Sequence, residues 1–140
     1  MIRVSIGDGV FVCTIVGRAG HADTPAAQRE LDRLAEERPE IDSILYDGRL
    51  LDGFEAGLPS RWIEWAKVRP RKSRRVAFVG NYPPGIAVLN ALRYLVPSLP
   101  FGLFRDIGPA VAFLRSASDR STRARVPARL SEISKRPASV

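Results

Sequence analysis

Residues 45–57 read LYDGRLLDGFEAG. An apolar run stops at Asp47, and two Asp-Gly pairs follow within a few residues. Aspartate bonds nearby backbone and glycine accepts positive φ, so Asp-Gly pairs ordinarily mark turns. The stretch is therefore expected to be the end of a strand over 41–46 and then a loop over 47–57. What precedes and follows this loop decides the fold.

Working outward, the segment 2–6, IRVSI, alternates apolar with polar residues, as a half-buried strand does. Gly7-Asp8-Gly9 reads as a hairpin turn. The run VFVCTIV at 10–16 is continuous and β-branched, the mark of a strand covered on both faces. Thr24-Pro25 opens a helix: threonine is expected to cap it, and proline at the first position sacrifices no hydrogen bond. Ala27, Leu31 and Leu34 form its apolar stripe, and Pro39 ends it. A second helix is expected over 58–68, with Leu58, Trp62 and Trp65 at helical spacing. Strands over 76–79 and 101–104 and helices over 86–96 and 109–115 complete the chain. Trp62 and Trp65 are expected to bury against the sheet; ranked below this is a reading in which one is exposed and forms an apolar patch with Phe54.

Strands alternating with helices define an α/β fold with a mostly parallel sheet of about five strands, an antiparallel edge strand and about four helices. At 140 residues and 45% hydrophobic content the chain is long and apolar enough for one real core. Residues 1–115 are expected to form that domain. No apolar run approaches the ~20 residues of a membrane span. No signal-peptide pattern opens the sequence, and a cytoplasmic location is the expectation. One cysteine, Cys13, and one histidine, His21, exclude a disulfide framework and a zinc cluster.

The formal charge of +7 is unevenly placed. Residues 115–140 hold seven Lys/Arg and two acids, against fifteen and thirteen in the rest. The stretch 116–140 is basic, poor in large apolar residues and expected to lack a packed structure. A second basic segment, Arg69-Pro70-Arg71-Lys72-Ser73-Arg74-Arg75, precedes a strand. Arg69, Arg71, Lys72, Arg74 and Arg75 are candidate anion-binding residues. With the tail they would contact nucleic acid or an anionic membrane surface. Little aromatic interleaving accompanies them, so base-specific reading is not expected.

Ligands of open α/β sheets sit beyond the carboxyl ends of the parallel strands. Three loops are expected there, over 17–23, 47–57 and 80–85. They bring together Arg18, His21, Asp47, Arg49, Asp52, Phe54, Glu55, Asn81 and Tyr82 as candidate ligand- or partner-binding residues. His21 with Asp47 or Asp52 would be the only acid–base pairing, and no nucleophile accompanies it. No catalytic residue, metal ligand or cofactor is assigned. An enzyme built on His21 ranks below a binding module and below a basic adaptor.

Four stretches, VFVCTIVGRAGHADT, ILYDGRLLDGFEAG, RRVAFVG and FGLFRDIGPAVAFL, resemble in order and spacing the STAS fold, in particular its SpoIIAA-like (STAS/SEC14) group. The resemblance spans about residues 1–115. It implies a regulatory or binding module, with a protein partner, a small apolar or anionic ligand or a lipid as the occupant; an exposed apolar patch would also suit a second copy. In anti-sigma-factor antagonists of this fold a serine is phosphorylated at the start of the helix after the third strand. Here Asp52-Gly53-Phe54-Glu55 stands where an Asp-Ser-Ser-Gly-like pattern is expected, so the resemblance implies the switch is missing at that point.

Overall fold

The computed structural model describes residues 1–69, 75–84, 86, 87, 90 and 101–116. Five strands form one sheet in the order β1-β2-β3-β4-β5. They are β1 (Ile2–Gly7), β2 (Val10–Ala19), β3 (Ser43–Phe54), β4 (Arg75–Val79) and β5 (Phe101–Phe104). β1 runs antiparallel to β2 at one edge, and β2 through β5 run parallel. The α/β expectation with its antiparallel edge strand holds.

Three helices are described: α1 (Thr24–Glu37), α2 (Leu58–Val68) and α3 (107–116). That is one fewer than expected. The helix anticipated over 86–96 falls mostly outside the described residues, with helical backbone at 83, 84, 86, 87 and 90. The segment 117–140 also lies outside them.

Same-handed crossovers along a sheet of sequential order must stack their helices on one face. The core follows that rule. Phe11 and Ile44 meet Leu31, Leu34 and Ala35 of α1, and Trp62 and Trp65 of α2 pack on the same cluster. The other face has Val10, Leu45, Ala77 and Val79 under Ala110 and Leu114 of α3. Cys13 is fully buried, and burial pushes its thiol up to about 12. Burial likewise raises Tyr46, the phenol lying under α2.

The decisive stretch is not a loop. β3 continues without a break from Ser43 to Phe54. Its pairing with β2 runs from Phe11↔Ile44 to Ala19↔Phe54, with two irregularities. Thr14 faces Asp47 and Val16 faces Leu50, so β3 carries an extra residue there. Gly17 faces Leu51 and Arg18 faces Gly53, which leaves Asp52 as a second extra residue. Each extra residue is a β-bulge, and each sits at an Asp-Gly pair.

The third Asp-Gly pair behaves differently. Asp8 has φ 53° and Gly9 φ 76°, the two positive angles of the tight turn joining β1 to β2. Gly48 needs no positive φ; it needs the absence of a side chain. A Cβ there would lie 2.5 Å from Cζ of Phe78. The β4 phenylalanine thus packs directly against the β3 backbone.

One further expectation changes, and the choice between the two tryptophan readings is made. Thr24 does not cap α1; it is fully buried, and its hydroxyl donates to the Gly20 carbonyl at 2.9 Å. Neither tryptophan is exposed. Trp62 meets Tyr46 edge-on at 5.7 Å and Trp65 at 5.4 Å. The Trp65 indole donates to Asp32 at 3.3 Å. The patch of Phe54 with a free tryptophan does not form, because α2 lays both rings against β3 and α1.

Candidate functional site

β4 pairs with β3 only as far as Asp47↔Val79. Beyond that point β2 and β3 continue as a ribbon to Ala19 and Phe54. The chain leaves the ribbon at Gly20 and Glu55, and the Glu55 amide donates to the Ala19 carbonyl at 3.0 Å. The candidate site therefore stands on strand ends, not on the wide loops expected. Strands fix side chains more tightly than loops do.

At the tip, residues from three segments meet: the end of β2, the end of β3 and the stretch after β4. The Phe54 ring contacts the Tyr82 ring edge-on at 6.1 Å. A Cβ on Gly53 would lie 3.2 Å from a guanidinium nitrogen of Arg18 and 4.0 Å from the Tyr82 hydroxyl. Gly53 thus lets Arg18 and Tyr82 converge across the ribbon. A Cβ on Gly20 would lie 2.5 Å from a Glu55 carboxylate oxygen, so that carboxylate rests on the bare backbone of Gly20. Arg18 and Asn81 are exposed, and Phe54, Glu55 and Tyr82 are half-buried.

His21 sits beside this group as a clamp. Its Nε2 is 2.8 Å from the Ala56 carbonyl, and its Nδ1 is 3.2 Å from an Arg61 nitrogen. Guanidinium can only donate, so Nδ1 accepts and the proton lies on Nε2, which donates to Ala56. Arg61 also donates to the His21 carbonyl at 3.4 Å. Both ring nitrogens are engaged in tying the loop after β2 to the first turn of α2. Sequence reasoning missed Arg61: forty residues separate it from His21, and nothing local marks the pair.

Asp47 and Arg49 do not join the tip. Arg49 grips Asp47 through two guanidinium contacts of 2.9 Å each, and its own amide donates to the same carboxylate at 3.2 Å. These bonds hold the Asp47 carboxyl below its ordinary range, with the Arg49 side chain as the largest cause. Asp47 is buried while Arg49 stays half-exposed. The pair forms one wall of a shallow cavity of about 310 Å³, shared with Thr14, Ile15 and Leu50. Asp52 is exposed at the second bulge. Asp47 is held by Arg49 and His21 by Ala56 and Arg61, so the low-ranked pairing of His21 with Asp47 does not form.

The basic segment is also reassigned. Arg69 is buried, lies 4.3 Å above the Trp65 ring and pairs with Asp32 at 3.2 Å. Arg75 donates to the Phe113 carbonyl at 2.9 Å and stacks on that ring at 4.4 Å. These two guanidinium groups fasten α2 to α1 and β4 to α3, which removes them from the exposed anion-binding set. Arg71, Lys72 and Arg74 lie outside the described residues. Among the described residues no cluster of three potential metal ligands occurs, and no helix is long and apolar enough to cross a membrane.

The helix after β3 starts where the sequence placed it. α2 begins at Leu58, and Ser60 is exposed in its first turn. Residues 52–54 are strand, so the helix after the third strand does not begin there.

A sequential sheet with one antiparallel edge, two helices on one face and a C-terminal helix on the other defines the fold as SpoIIAA-like, of the STAS type. Solved structures agree. One is an uncharacterized DUF3478-family protein with a SpoIIAA-like fold from Shewanella loihica. It is 20% identical over 81% of this chain and 92% of its own, with a TM-score of 0.63. Another is an anti-sigma factor antagonist from Mycobacterium paratuberculosis. It is 15% identical over 82% of this chain and 93% of its own, with a TM-score of 0.59. No protein-family model and no curated protein sequence matches the chain.

Proposed function

We propose that this chain is a non-catalytic regulatory module that docks a protein partner on the tip of the β2–β3 ribbon. The observation that carries the reading is the ribbon's extension past β4. It presents Arg18, Phe54 and Glu55 at the end of paired strands, with Tyr82 from the segment after β4 against Phe54. An aromatic pair flanked by a cation and a carboxylate has the composition of a binding centre: aromatic rings and arginine dominate interface energies. The engagement of both His21 nitrogens argues against imidazole catalysis. The Mycobacterium paratuberculosis neighbour bears the name of an anti-sigma factor antagonist, which favours a regulatory role exerted on another protein.

The test is site-specific photocrosslinking in cells that express the full chain. A photoreactive residue replaces Phe54 in one variant and Arg29, exposed on α1, in another. The reading expects a discrete protein adduct from position 54, absent from position 29 and lost when Arg18→Glu is added. Equal labelling from both positions, or no adduct from 54, refutes it.

A second reading rests on the cavity beside Asp47 and Arg49. A small ligand with an apolar body would lie on Ile15 and Leu50, with an acidic group on Arg49. Native against denaturing mass spectrometry tests it: a mass lost on denaturation supports a ligand, and a bare chain mass counts against one.

A further inference from the structure

The outer edge of β1 is open. Met1 donates to the Val16 carbonyl at 3.0 Å, and Val16 donates back to Met1 at 2.9 Å. Exchange pairs of this kind alternate along an antiparallel ladder. Arg3, Ser5 and Gly7, in register with Thr14, Val12 and Val10, therefore turn their peptide groups toward β2. Ile2, Val4 and Ile6 turn theirs outward, and no strand lies beyond β1 among the described residues.

Natural sheets blunt such an edge with proline, bulges or several charges. β1 has no proline, no register shift against β2 and a single charged side chain, Arg3. Its side chains fall in two rows. Val4 and Ile6 pack against the α1-side core, and Ile2, Val4 and Ile6 all remain only half-buried. Arg3 and Ser5 are exposed on the opposite face.

We propose that β1 pairs antiparallel with β1 of a second copy, across a twofold axis at Val4. The alternation dictates the register. Outward peptide groups belong to even-numbered residues, so hydrogen-bonded partners must be even with even. Only one register engages all three: Ile2 with Ile6 of the second copy, Val4 with Val4, and Ile6 with Ile2. Each such pair exchanges two N–H···O bonds. The same register sets Arg3 opposite Ser5 of the second copy and never opposite the other Arg3. Sliding by two residues in one direction brings Arg3 onto Arg3; sliding in the other strands Ile2. The edge is self-complementary in bonding, apolar row and charge. Dimerisation joins the two five-stranded sheets into one and leaves the β2–β3 tips free.

The experiment is sedimentation equilibrium of the full chain and three variants. Val4→Pro removes an amide that only the second copy uses, a change tolerated on an edge whose N–H faces outward. It is expected to give a folded monomer. Ser5→Arg sets like charges opposite each other twice and should weaken the dimer about tenfold, while Ser5→Glu sets opposite charges and should tighten it about tenfold. Ser5 is exposed, so these two decide the matter even where Val4→Pro does not fold. Wild-type protein that stays monomeric at roughly millimolar concentration overturns the proposal, as do equal constants for Ser5→Arg and Ser5→Glu. In amide exchange, Ile2, Val4 and Ile6 should gain protection with concentration, while Arg3 and Ser5 stay protected throughout.

Discussion

Replacing Gly48 by alanine tests why an Asp-Gly pair lies inside a strand. The new Cβ would stand 2.5, 3.1 and 3.3 Å from three atoms of the Phe78 ring. Ordinary carbon contacts begin near 3.5 Å, so the ring must withdraw by about 1 Å. It has little room. Phe78 is buried, and its Cε1, one of the three crowded atoms, also lies 3.1 Å from where a Cβ of Gly80 would be. Overpacking of this kind costs ~1–3 kcal/mol. Alanine returns ~0.4–1 kcal/mol by restricting the unfolded chain. The net expectation is a loss of about 1–2 kcal/mol, read as a lower urea midpoint with unchanged slope. The double-mutant cycle with Phe78→Leu is the sharper readout. Leucine lacks the ring atoms that clash, so the second change should recover at least ~0.5 kcal/mol of the Gly48→Ala loss. A Gly48→Ala protein as stable as wild type, or strict additivity with Phe78→Leu, would refute the close-packing account.

Other outcomes follow from the same structure. Gly9→Ala should cost ~1 kcal/mol through its positive φ alone and show no coupling to Phe78 in the same melts. Thr24→Val keeps shape but loses the bond to Gly20, and should cost ~1 kcal/mol in a thermal or urea melt. Asp47 has a lowered folded pKa, so its stabilisation is complete above the unfolded carboxylate range and lost as pH falls through the folded value. Arg49→Met should therefore destabilise at pH 7, and its gap from wild type in melts should narrow as pH falls below the unfolded carboxylate range. Cys13 has a raised folded pKa, so stability should fall as pH rises past the unfolded thiol value of ~8.5. Cys13→Ala should flatten that alkaline slope, and the native thiol should resist alkylation until the chain unfolds.

Much of the fold is legible in the chain because local signals agree with the global sheet. The alternation of 2–6, the β-branched run of 10–16, the Asp8-Gly9 turn and the Leu31–Leu34 stripe each point the same way as the structure. The misreading at 47–57 has a definite cause. Asp-Gly supports both a turn and a bulge, and sequence spacing alone does not tell them apart. A turn uses glycine's positive φ; here Gly48 and Gly53 serve to admit Phe78, Arg18 and Tyr82. Those partners lie on other strands and loops, so no local pattern announces them. The site was half legible for the same reason. Arg18, His21, Phe54, Glu55 and Tyr82 come close because β2 and β3 end together and the segment after β4 continues toward the same end. Asp47 separates from them because Arg49, two residues on, captures it. Arg69 and Arg75 read as free charge in a basic run, yet each has an aromatic ring to stack on, a tertiary fact invisible in sequence. Thr24 reads as a cap, but its hydroxyl turns back to Gly20 once the helix begins one residue earlier than the cap position requires.

β3 is one bulged strand whose far end, paired to β2, carries the tip proposed to dock a partner. Amide hydrogen exchange through residues 43–57 tests this most directly. The account predicts a slow Glu55 amide, bonded to the Ala19 carbonyl, and slow amides within 50–54 where β3 faces β2. Their protection should fall below that of Ile44 to Tyr46, which have strands on both sides, but stay well above that of an open loop. Free exchange of every amide from 48 to 55, with protection ending at Asp47, would contradict the account and restore the loop.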